Sequence, residues 1–309
     1  EMNIITITLN PAFDIHYEIE DFKPYKENYV SSILISAGGK GINVSRALLE
    51  NNIDNTAYVI LGRENASDFV SRLEKEEFKF KAIYCEGRIR ENITIHSSEG
   101  RETRISQDNF YLPPDILDKL LEELKKLVDE NTILVFSGRI PKGLSTDEVI
   151  DFLRELGKAS GLLAVDSNSF SMEDLLHIRP WLIKPNEQEI ETLIGSQVNT
   201  IEEAKEAAIE IHGMGIDNVI VSMGKEGAAM ASAEWSGIVK APSILPVSTI
   251  GAGDSMIAGF IGAYVQGVDK KGCLKNAVAF GTAACLTEGT APPRCEDIQR
   301  IKQMMVERG

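Results

Sequence analysis

The segment TIGAGDSMIAGF, at residues 249–260, places a carboxylate directly after a glycine-rich turn and before an apolar, helix-like run. In the first turn of a helix, the backbone N–H groups of Gly251, Ala252 and Gly253 can point at one anion. Asp254 then has two interpretations. It caps the helix, since Asp is a preferred capping residue, or it accepts the proton of a hydroxyl that attacks a phosphoryl group held by the turn.

A second glycine-rich stretch, AGGKGINVSRA at residues 37–47, also leads into a predicted helix. Gly38 and Gly39 would allow a ligand to approach the backbone closely, because they carry no side chain. Lys40 and Asn43 add polar groups with enough reach to contact such a ligand. The stretch is a candidate binding loop, and a simple tight turn is the alternative.

Polar residues also follow several predicted strands. NPAFD at 10–14 ends in Asp14, which could bind a polyol or could belong to an ordinary turn. SGRIPKG at 137–143 contains Arg139, and VSMGKEGA at 221–228 is a strand followed by a glycine turn. Because ligands of open parallel sheets bind beyond the carboxyl ends of the strands, these segments are expected to share one cleft.

KPNEQE, at residues 184–189, follows a short predicted strand. Asn186 and Glu189 lie three residues apart and would share one face of the helix that begins there. Two oxygen ligands beside phosphates suit Mg²⁺, often through water. The alternative is an Asn cap with a Glu three residues later, which is a common helix start.

The chain alternates strand and helix patterns through most of its length, and its strands are nearly continuous apolar runs. This pattern predicts a mostly parallel sheet covered by helices on both faces. Ser145 and Glu148 predict a capping box at the start of one helix, and TIEEAKEAAIEIHGMG begins with a second cap signal.

Two regions, about 12–36 and 90–108, break the alternation with period-2 patterns and no helix between their strands. The second reads as a hairpin that turns at Glu99-Gly100. Together they predict a small antiparallel sheet beside the main one, acting as a lid or a dimer face. Two elaborated surface loops are the alternative. No linker or repeat divides residues 1–309, so a single α/β domain with this appendage is expected.

Composition restricts the partners. The 309 residues are 43% hydrophobic and 26% charged, with a formal net charge of −15. Nucleic acid and anionic membranes both require a basic surface, so neither is expected as the main partner.

The four cysteines form no CxxC pair, and no cysteine and histidine stand at zinc-ligand spacing. No apolar run approaches the roughly 20 residues of a membrane span, and we expect a cytoplasmic protein.

The ordered set NPAxD, GGKGINVSR, RENxxI, SGxxPxG, KPNxxE, VSxGxxGA and GAGDS resembles the PfkB (ribokinase-like) carbohydrate kinase family over nearly the whole chain. The combination of GGKGIN near the start and GAGDSxxAGF near the end is highly specific. The resemblance implies a ribokinase-like α/β fold with a β lid. It also implies transfer of the γ-phosphoryl group of ATP to a sugar hydroxyl with the help of Mg²⁺.

The resemblance assigns roles to individual residues. The catalytic base falls on Asp254, and the anion hole falls on the amides of residues 251–253. The sugar-binding positions are Asp14, Gly38, Gly39 and Asn43, and the acceptor's phosphate is expected near Arg90, with Arg104, Arg139 and Lys40 as further cations. The nucleotide and Mg²⁺ positions are Lys184, Asn186, Glu189, Ser222, Gly224, Gly227, Asn276 and Gly281. Some members of the family depend on a monovalent cation, which is a further candidate cofactor.

The sequence is most similar to the phosphosugar kinases of that family, so fructose 1-phosphate is the expected acceptor, with tagatose 6-phosphate and fructose 6-phosphate next. Glu27 and Tyr29 stand where these kinases usually carry a lid cation, and Arg139 replaces a serine. A kinase of a non-phosphorylated sugar or nucleoside therefore stays open. Intact GAGD and KPNxxE motifs argue against a non-enzymatic sensor. A homodimer through the lid is expected.

Overall fold

The computed structural model describes residues 2–77, 79–97, 100 and 102–306. The strands are β1 (Asn3–Thr8), β2 (Ala12–Ile19), β3 (Ser32–Gly38), β4 (Thr56–Gly62), β5 (Phe80–Cys85), β6 (Arg90–Ser97), β7 (Glu102–Ser106), β8 (Thr132–Ser137), β9 (Leu162–Asp166), β10 (Leu182–Ile183), β11 (Asn218–Ser222), β12 (Gly227–Ser232) and β13 (Ser236–Lys240). The helices are α1 (Lys40–Glu50), α2 (Ala66–Lys75), α3 (Asp115–Lys125), α4 (Thr146–Ser160), α5 (Met172–Ile178), α6 (Glu187–Ile194), α7 (Ile201–Gly213), α8 (Ala252–Val265), α9 (Lys270–Ala284) and α10 (Cys295–Val306).

Nine strands form the large sheet in the order β13-β12-β11-β10-β9-β8-β1-β4-β5. All neighbours from β11 to β5 are parallel, as the alternating pattern predicts. At the other edge, β12 pairs antiparallel with β11 and with β13. The predicted α/β architecture, with a mostly parallel sheet and a small second sheet, is confirmed.

Alternate residues of the central strands point to opposite faces, and both faces are buried. Ile5 and Leu134 pack toward the layer that contains α3, α4 and α7, whereas Ile4 and Val135 pack toward α1, α8, α9 and α10. Burying such a side chain contributes roughly 1.5–3 kcal/mol relative to leaving it exposed. Two apolar faces explain why the strands read as continuous rather than alternating apolar runs.

The small sheet has the order β3-β2-β6-β7. Its outer pairs, β2 with β3 and β6 with β7, are antiparallel, and the central pair, β2 with β6, is parallel. The parallel pair follows from the connections, because β2 follows β1 and β6 follows β5, and both of those strands end at the same edge of the large sheet. The predicted hairpin joins β6 and β7, although Glu99 of its turn lies outside the described residues.

The two faces of the small sheet differ in polarity. On one face, Phe13 and Ile15 pack against α2, where the rings of Phe13 and Phe69 meet edge to face at 5.2 Å. The opposite face carries Asp14 and His16, with Asn92 and Thr94 beside them on β6 and Arg104 beyond on β7. Period 2 thus places the polar residues of this sheet on one surface.

Helix starts follow the sequence signals closely. Ser145 and Glu148 form the predicted capping box of α4, and Thr200 and Glu203 form one at α7. Within the described part of the chain, no helix is both long enough and apolar enough to cross a membrane.

Candidate active site

Asp254 lies in the first turn of α8 and does not cap that helix. The N-cap residue is Gly251, which has φ 78° and makes no side-chain cap bond. Asp254 is only 6% exposed, and its Oδ2 accepts a hydrogen bond from Asn43 Nδ2 at 3.0 Å. The helix-cap interpretation is therefore excluded, and a buried carboxylate sits beside a turn of backbone amides.

Burial raises the pKa of Asp254 to about 6. Lys40, the hydrogen bond from Asn43 and Lys184 oppose the increase, whereas the neighbouring carboxylate of Asp166 adds to it. A carboxyl group with this pKa is mostly ionised at neutral pH, yet it is a better proton acceptor than an exposed aspartate.

A chain of hydrogen bonds holds Asn43 in place. Arg46 Nη1 donates to Asn43 Oδ1 at 3.1 Å, and Arg46 is itself fixed by Glu76, with Nε to Oε2 at 2.6 Å. Arg46 is 7% exposed and the Glu76 side chain is 35% exposed, so only the arginine end of this pair is buried. Sequence reasoning did not single out Arg46 as functional, although it lies three residues after Asn43 on α1 and is within side-chain reach of it.

Lys184 brings a buried cation to the turn. Its Nζ lies 3.6 Å from Asp166 Oδ1, and both side chains are 5% exposed. A Cβ atom on Gly253 would lie only 3.1 Å from Lys184 Nζ, so the missing side chain at this position lets the ammonium group approach the amide turn. Asp166 was missed from the sequence, and its signal was a carboxylate directly after the buried run LLAV.

The turn opens onto a cleft of about 980 Å³ at the carboxyl ends of the parallel strands. The predicted residues that line it are Lys40, Lys184, Asn186, Glu189, Ser222, Gly224, Gly227, Gly251, Ala252, Gly253, Asp254 and Gly281. These residues come from segments far apart in sequence, and the fold brings them together. The pKa of Lys40 is raised in this cleft. Partial desolvation alone would lower it, but the negative charges of Asp166, Asp254 and Glu189 raise it by more.

Asn276 is the one predicted nucleotide-side residue that does not line this cleft. Its Nδ2 donates to the backbone oxygen of Gly259 at 2.6 Å, which joins α9 to α8. Its predicted place near the nucleotide stays a prediction, and the structure adds a contact that packs α9 against the helix that carries Asp254.

Asn186 and Glu189 form a capping box at α6. Asn186 Oδ1 accepts from Glu189 N at 2.9 Å, and Glu189 Oε2 accepts from Asn186 N at 2.9 Å. The capping interpretation therefore describes the local structure, and both residues still line the cleft. Across the described ranges, no group of three His, Cys, Asp or Glu residues could hold a metal ion alone.

Asp14 marks a second group of polar side chains, at the base of the small sheet. Its Oδ1 accepts from Asn92 Nδ2 at 3.3 Å. A Cβ on Gly38 would lie 2.0 Å from Asp14 Oδ2, so the glycine leaves space for this carboxylate. Burial raises the pKa of Asp14, against the hydrogen bond from Asn92 and the charges of His16 and Arg90. Asn92 was not predicted as a site residue.

The predicted arginines occupy different places. Arg90 begins β6, and its Nη2 donates to Asn10 O at 3.2 Å. Arg139 follows β8 and is exposed. Arg104 lies farther out on the small sheet, opposite Thr94, and pairs with Glu102 at 3.2 Å. The structure therefore brings Arg90 to Asp14, and it places Arg104 in an ion pair of its own strand.

The fold is that of the ribokinase-like sugar kinases. The model described as pfkB family carbohydrate kinase matches residues 7–297. The chain therefore belongs to the pfkB family of carbohydrate kinases, and it is a phosphotransferase with an alcohol acceptor. The family resemblance predicted from the motifs is confirmed.

Individual relatives cover nearly the full chain. The 1-phosphofructokinase of Haemophilus influenzae is 30% identical, over 91% of this chain and 89% of its own length. The tagatose-6-phosphate kinase of Staphylococcus epidermidis is 34% identical, over 98% and 99%. The crystal structure of phosphofructokinase-2 from Escherichia coli in complex with potassium superposes with a TM-score of 0.91 at 27% identity, covering 99% of this chain and 100% of that one.

Proposed function

We propose that the protein transfers the γ-phosphoryl group of ATP to a primary hydroxyl of a ketohexose phosphate, with fructose 1-phosphate converted to fructose 1,6-bisphosphate. The observation that carries the proposal is the buried, non-capping carboxylate of Asp254 beside the amide turn of α8. Relatives named 1-phosphofructokinase and tagatose-6-phosphate kinase support this class of acceptor. Tagatose 6-phosphate and fructose 6-phosphate are the alternative acceptors.

Asp254 acts as the general base in this proposal. The acceptor hydroxyl gives its proton to the carboxylate, its oxygen attacks the γ-phosphorus, and the bond to the β-phosphate oxygen breaks to release ADP. The hydrogen bond from Asn43 fixes the carboxylate without neutralising it. Burial supports the role, because it raises the pKa of Asp254 toward neutral pH.

The amides of Gly251, Ala252 and Gly253 stabilise the charge on the transferring phosphoryl group. They stand at the N-terminus of α8, where the helix dipole also favours an anion. Lys184 and Lys40 add positive charge in the same cleft. In other enzymes, one preorganised donor of this kind contributes about 10²–10³ in rate.

The nucleotide is proposed to lie along the strand ends, against Ser222, Gly224, Gly227 and Gly281. The nearby oxygen donors fit Mg²⁺ bound through phosphates and water, since Mg²⁺ usually takes only one or two protein carboxylates. Glu189, with Asn186 beside it, would hold the ion, which neutralises phosphate charge when bound.

The acceptor is proposed to lie between the two sheets, with its hydroxyls on Asp14, Asn43 and the backbone of Gly38 and Gly39. The small sheet, formed by residues of about 12–36 and 90–108, would then act as a lid. Closure would exclude water, which otherwise competes with the sugar and hydrolyses ATP. Since Asp14 and Arg90 both belong to this sheet, acceptor binding and closure would be coupled.

A monovalent cation is a further proposed cofactor, on the ground that the E. coli relative has been solved with potassium. Activity measured in KCl and in choline chloride at equal ionic strength tests it. Equal rates in the two salts would contradict a monovalent-cation requirement.

A kinase of a non-phosphorylated sugar or nucleoside is the second candidate, because Glu27 and Tyr29 are exposed and supply no lid cation. The test is ATP consumption over fructose 1-phosphate, tagatose 6-phosphate, fructose 6-phosphate, fructose, ribose and nucleosides. The highest kcat/KM is expected with fructose 1-phosphate. A preference for fructose, ribose or a nucleoside would overturn the proposed acceptor class.

A further inference from the structure

Asn43, which donates to the carboxylate of Asp254, lies between two groups of opposite hydrogen-bonding character. Its Nδ2 donates to Asp254 Oδ2 at 3.0 Å, and its Oδ1 accepts from Arg46 Nη1 at 3.1 Å. An ionised carboxylate only accepts hydrogen bonds, and a guanidinium group only donates them. The amide therefore satisfies both neighbours in one orientation alone, with its NH₂ group toward Asp254.

The other donors of Arg46 are held by the surrounding fold. Its Nε donates to Glu76 Oε2 at 2.6 Å and its Nη2 to Glu76 Oε1 at 3.0 Å, which makes a bidentate pair. Nη2 also donates to Ala37 O at 2.7 Å. Glu76 is the C-cap residue of α2, and Ala37 belongs to β3. Two elements outside α1 thus fix the guanidinium group so that its Nη1 points at Asn43.

The orientation of the Asn43 amide decides which form of Asp254 it stabilises. An NH₂ group stabilises the ionised carboxylate, whereas an amide oxygen in the same place would accept from the protonated carboxyl and stabilise that form instead. In agreement, burial raises the pKa of Asp254, and the hydrogen bond from Asn43 lowers it. Charged groups also act on Asp254 from three other places: Lys40 on α1, Asp166 at the end of β9 and Lys184 after β10.

We propose that Arg46, held by Glu76, is a positioning residue for the reaction. It locks the Asn43 amide as a hydrogen-bond donor and so keeps Asp254 in the ionised form that accepts a proton. This inference rests on the proposed role of Asp254 as the general base. Because Arg46 acts through Asn43, its removal should change the pH dependence of the reaction and leave the binding of ATP nearly unchanged.

The test compares Arg46→Met, which keeps a long side chain without any donor, with Arg72→Met as the matched control. Arg72 is a partly buried arginine of α2 that donates to Ile35 O at 2.6 Å and pairs with Asp68. The kcat/KM for fructose is measured from about pH 5 to pH 9, because its acid limb reports the ionisation of the base. In Arg46→Met this limb is expected to move to higher pH by about one unit, as for the loss of one hydrogen bond to an ionised group. Arg72→Met is expected to keep the wild-type limb, and the KM for ATP is expected to stay within about twofold in both variants.

A double-mutant comparison tests whether Arg46 acts through Asn43. Asn43→Ala alone should also move the acid limb to higher pH. Adding Arg46→Met to it should move the limb no further, because the amide that Arg46 orients is already gone. An equal further shift in the Asn43→Ala background would overturn the inference, as would an unchanged limb in Arg46→Met or the same shift in Arg72→Met.

Glu76→Gln is the deciding variant if Arg46→Met does not fold. A glutamine oxygen can replace only one of the two carboxylate oxygens that hold Arg46, so the limb is expected to move in the same direction and by less. In that case an unchanged limb in Glu76→Gln would overturn the inference and leave the kinase function intact. Near-native turnover in Asp254→Asn would instead overturn the proposed general base itself, and the inference with it.

Discussion

Asp254 combines two properties that oppose each other at a single residue. Its burial makes the carboxylate a better proton acceptor, and the same burial makes its ionised form costly to the fold. Asn43, Lys40 and Lys184 offset part of that cost. The pH dependence of activity and the pH dependence of stability should therefore both report this one group.

The rate should fall on the acid side as Asp254 is protonated. Because its pKa is raised to about 6, kcat/KM should be nearly constant above pH 7 and should decline below about pH 6. Phosphate monoesters also titrate near pH 6, so fructose is the better acceptor for this measurement. A profile with fructose that stays flat down to pH 5 would contradict a raised pKa for Asp254.

Asp254→Asn should stabilise the unliganded protein at pH 7.5. The folded-state pKa, about 6, exceeds the ordinary value of 3.8, so ionisation favours the unfolded state as pH rises between these values. Removing the charge should raise the free energy of unfolding by on the order of 1–3 kcal/mol above pH 6. The gain should shrink toward pH 4, as urea denaturation at several pH values would show. A loss of stability at pH 7.5 would contradict the account.

Motifs identified Asp254 and Lys184, because Asp254 follows the glycine turn GAG and Lys184 begins the KPNEQE segment. Asp166 and Asn92 were not found, because each is a single polar residue whose partner is distant along the chain. Arg46 is close to Asn43 in sequence, but Glu76, which fixes it, is not. Lys184 meets Asp166, for example, only after β9 and β10 pair in the sheet. Such contacts exist in the fold and leave no local pattern.

At the level of elements, the loop before α1 lies close to β2, and this close approach positions the residues that are proposed to bind the sugar. The GGKGIN stretch joins β3 to α1, and Gly38 lies directly against the carboxylate of Asp14. The loop and the small sheet therefore form one surface for the sugar. A side chain added here should act on acceptor binding and leave nucleotide binding unchanged.

Gly38→Ala should displace Asp14, because the new Cβ would lie 2.0 Å from its Oδ2. The KM for the acceptor should rise about tenfold or more, with the KM for ATP changed by less than about twofold, since one or more hydrogen bonds to the sugar would be lost. Gly213→Ala is the matched control, since nothing lies within 4 Å of a Cβ there. Equal kinetics in the two variants would argue against Asp14 as a sugar ligand.

Helices and parallel strands were predictable because their apolar periodicity and capping boxes are local signals. The antiparallel edge was not, since β12 reads GAAMAS, and alanine and glycine do not favour strands. Tertiary packing of these small, fully buried residues decides the structure there. Asn276, a motif position, also joins α9 to α8, and its motif gave no sign of that contact.

At the level of the whole molecule, the apolar face of the small sheet is only partly covered. Ile95 is 7% exposed, and Ile35 and Ile93 pack against the chain's own core. Ile33 and Ile105 remain 58% and 52% exposed on that face. The surface available to a partner is therefore smaller than the sequence pattern indicates, and it is limited to the outer part of the sheet.

We expect a homodimer that contacts through this outer surface. Light scattering at micromolar concentration should give twice the chain mass, and Ile33→Lys should shift it toward the monomer, because a charge would enter an apolar contact. Leu127→Lys is the control, since that leucine is 50% exposed outside the small sheet. A wild-type monomer under these conditions would contradict the proposed dimer.

The turnover of Asp254→Asn shows whether this carboxylate accepts the proton of the acceptor hydroxyl. A single-turnover and steady-state comparison with fructose 1-phosphate should show kcat lowered by about 10²–10⁴, the range of a general base, with the affinity for ATP changed by less than about threefold. Asp269→Asn, which changes the N-cap of α9, should keep near-native turnover. A kcat of Asp254→Asn close to the wild-type value would contradict the assignment of Asp254 as the catalytic base.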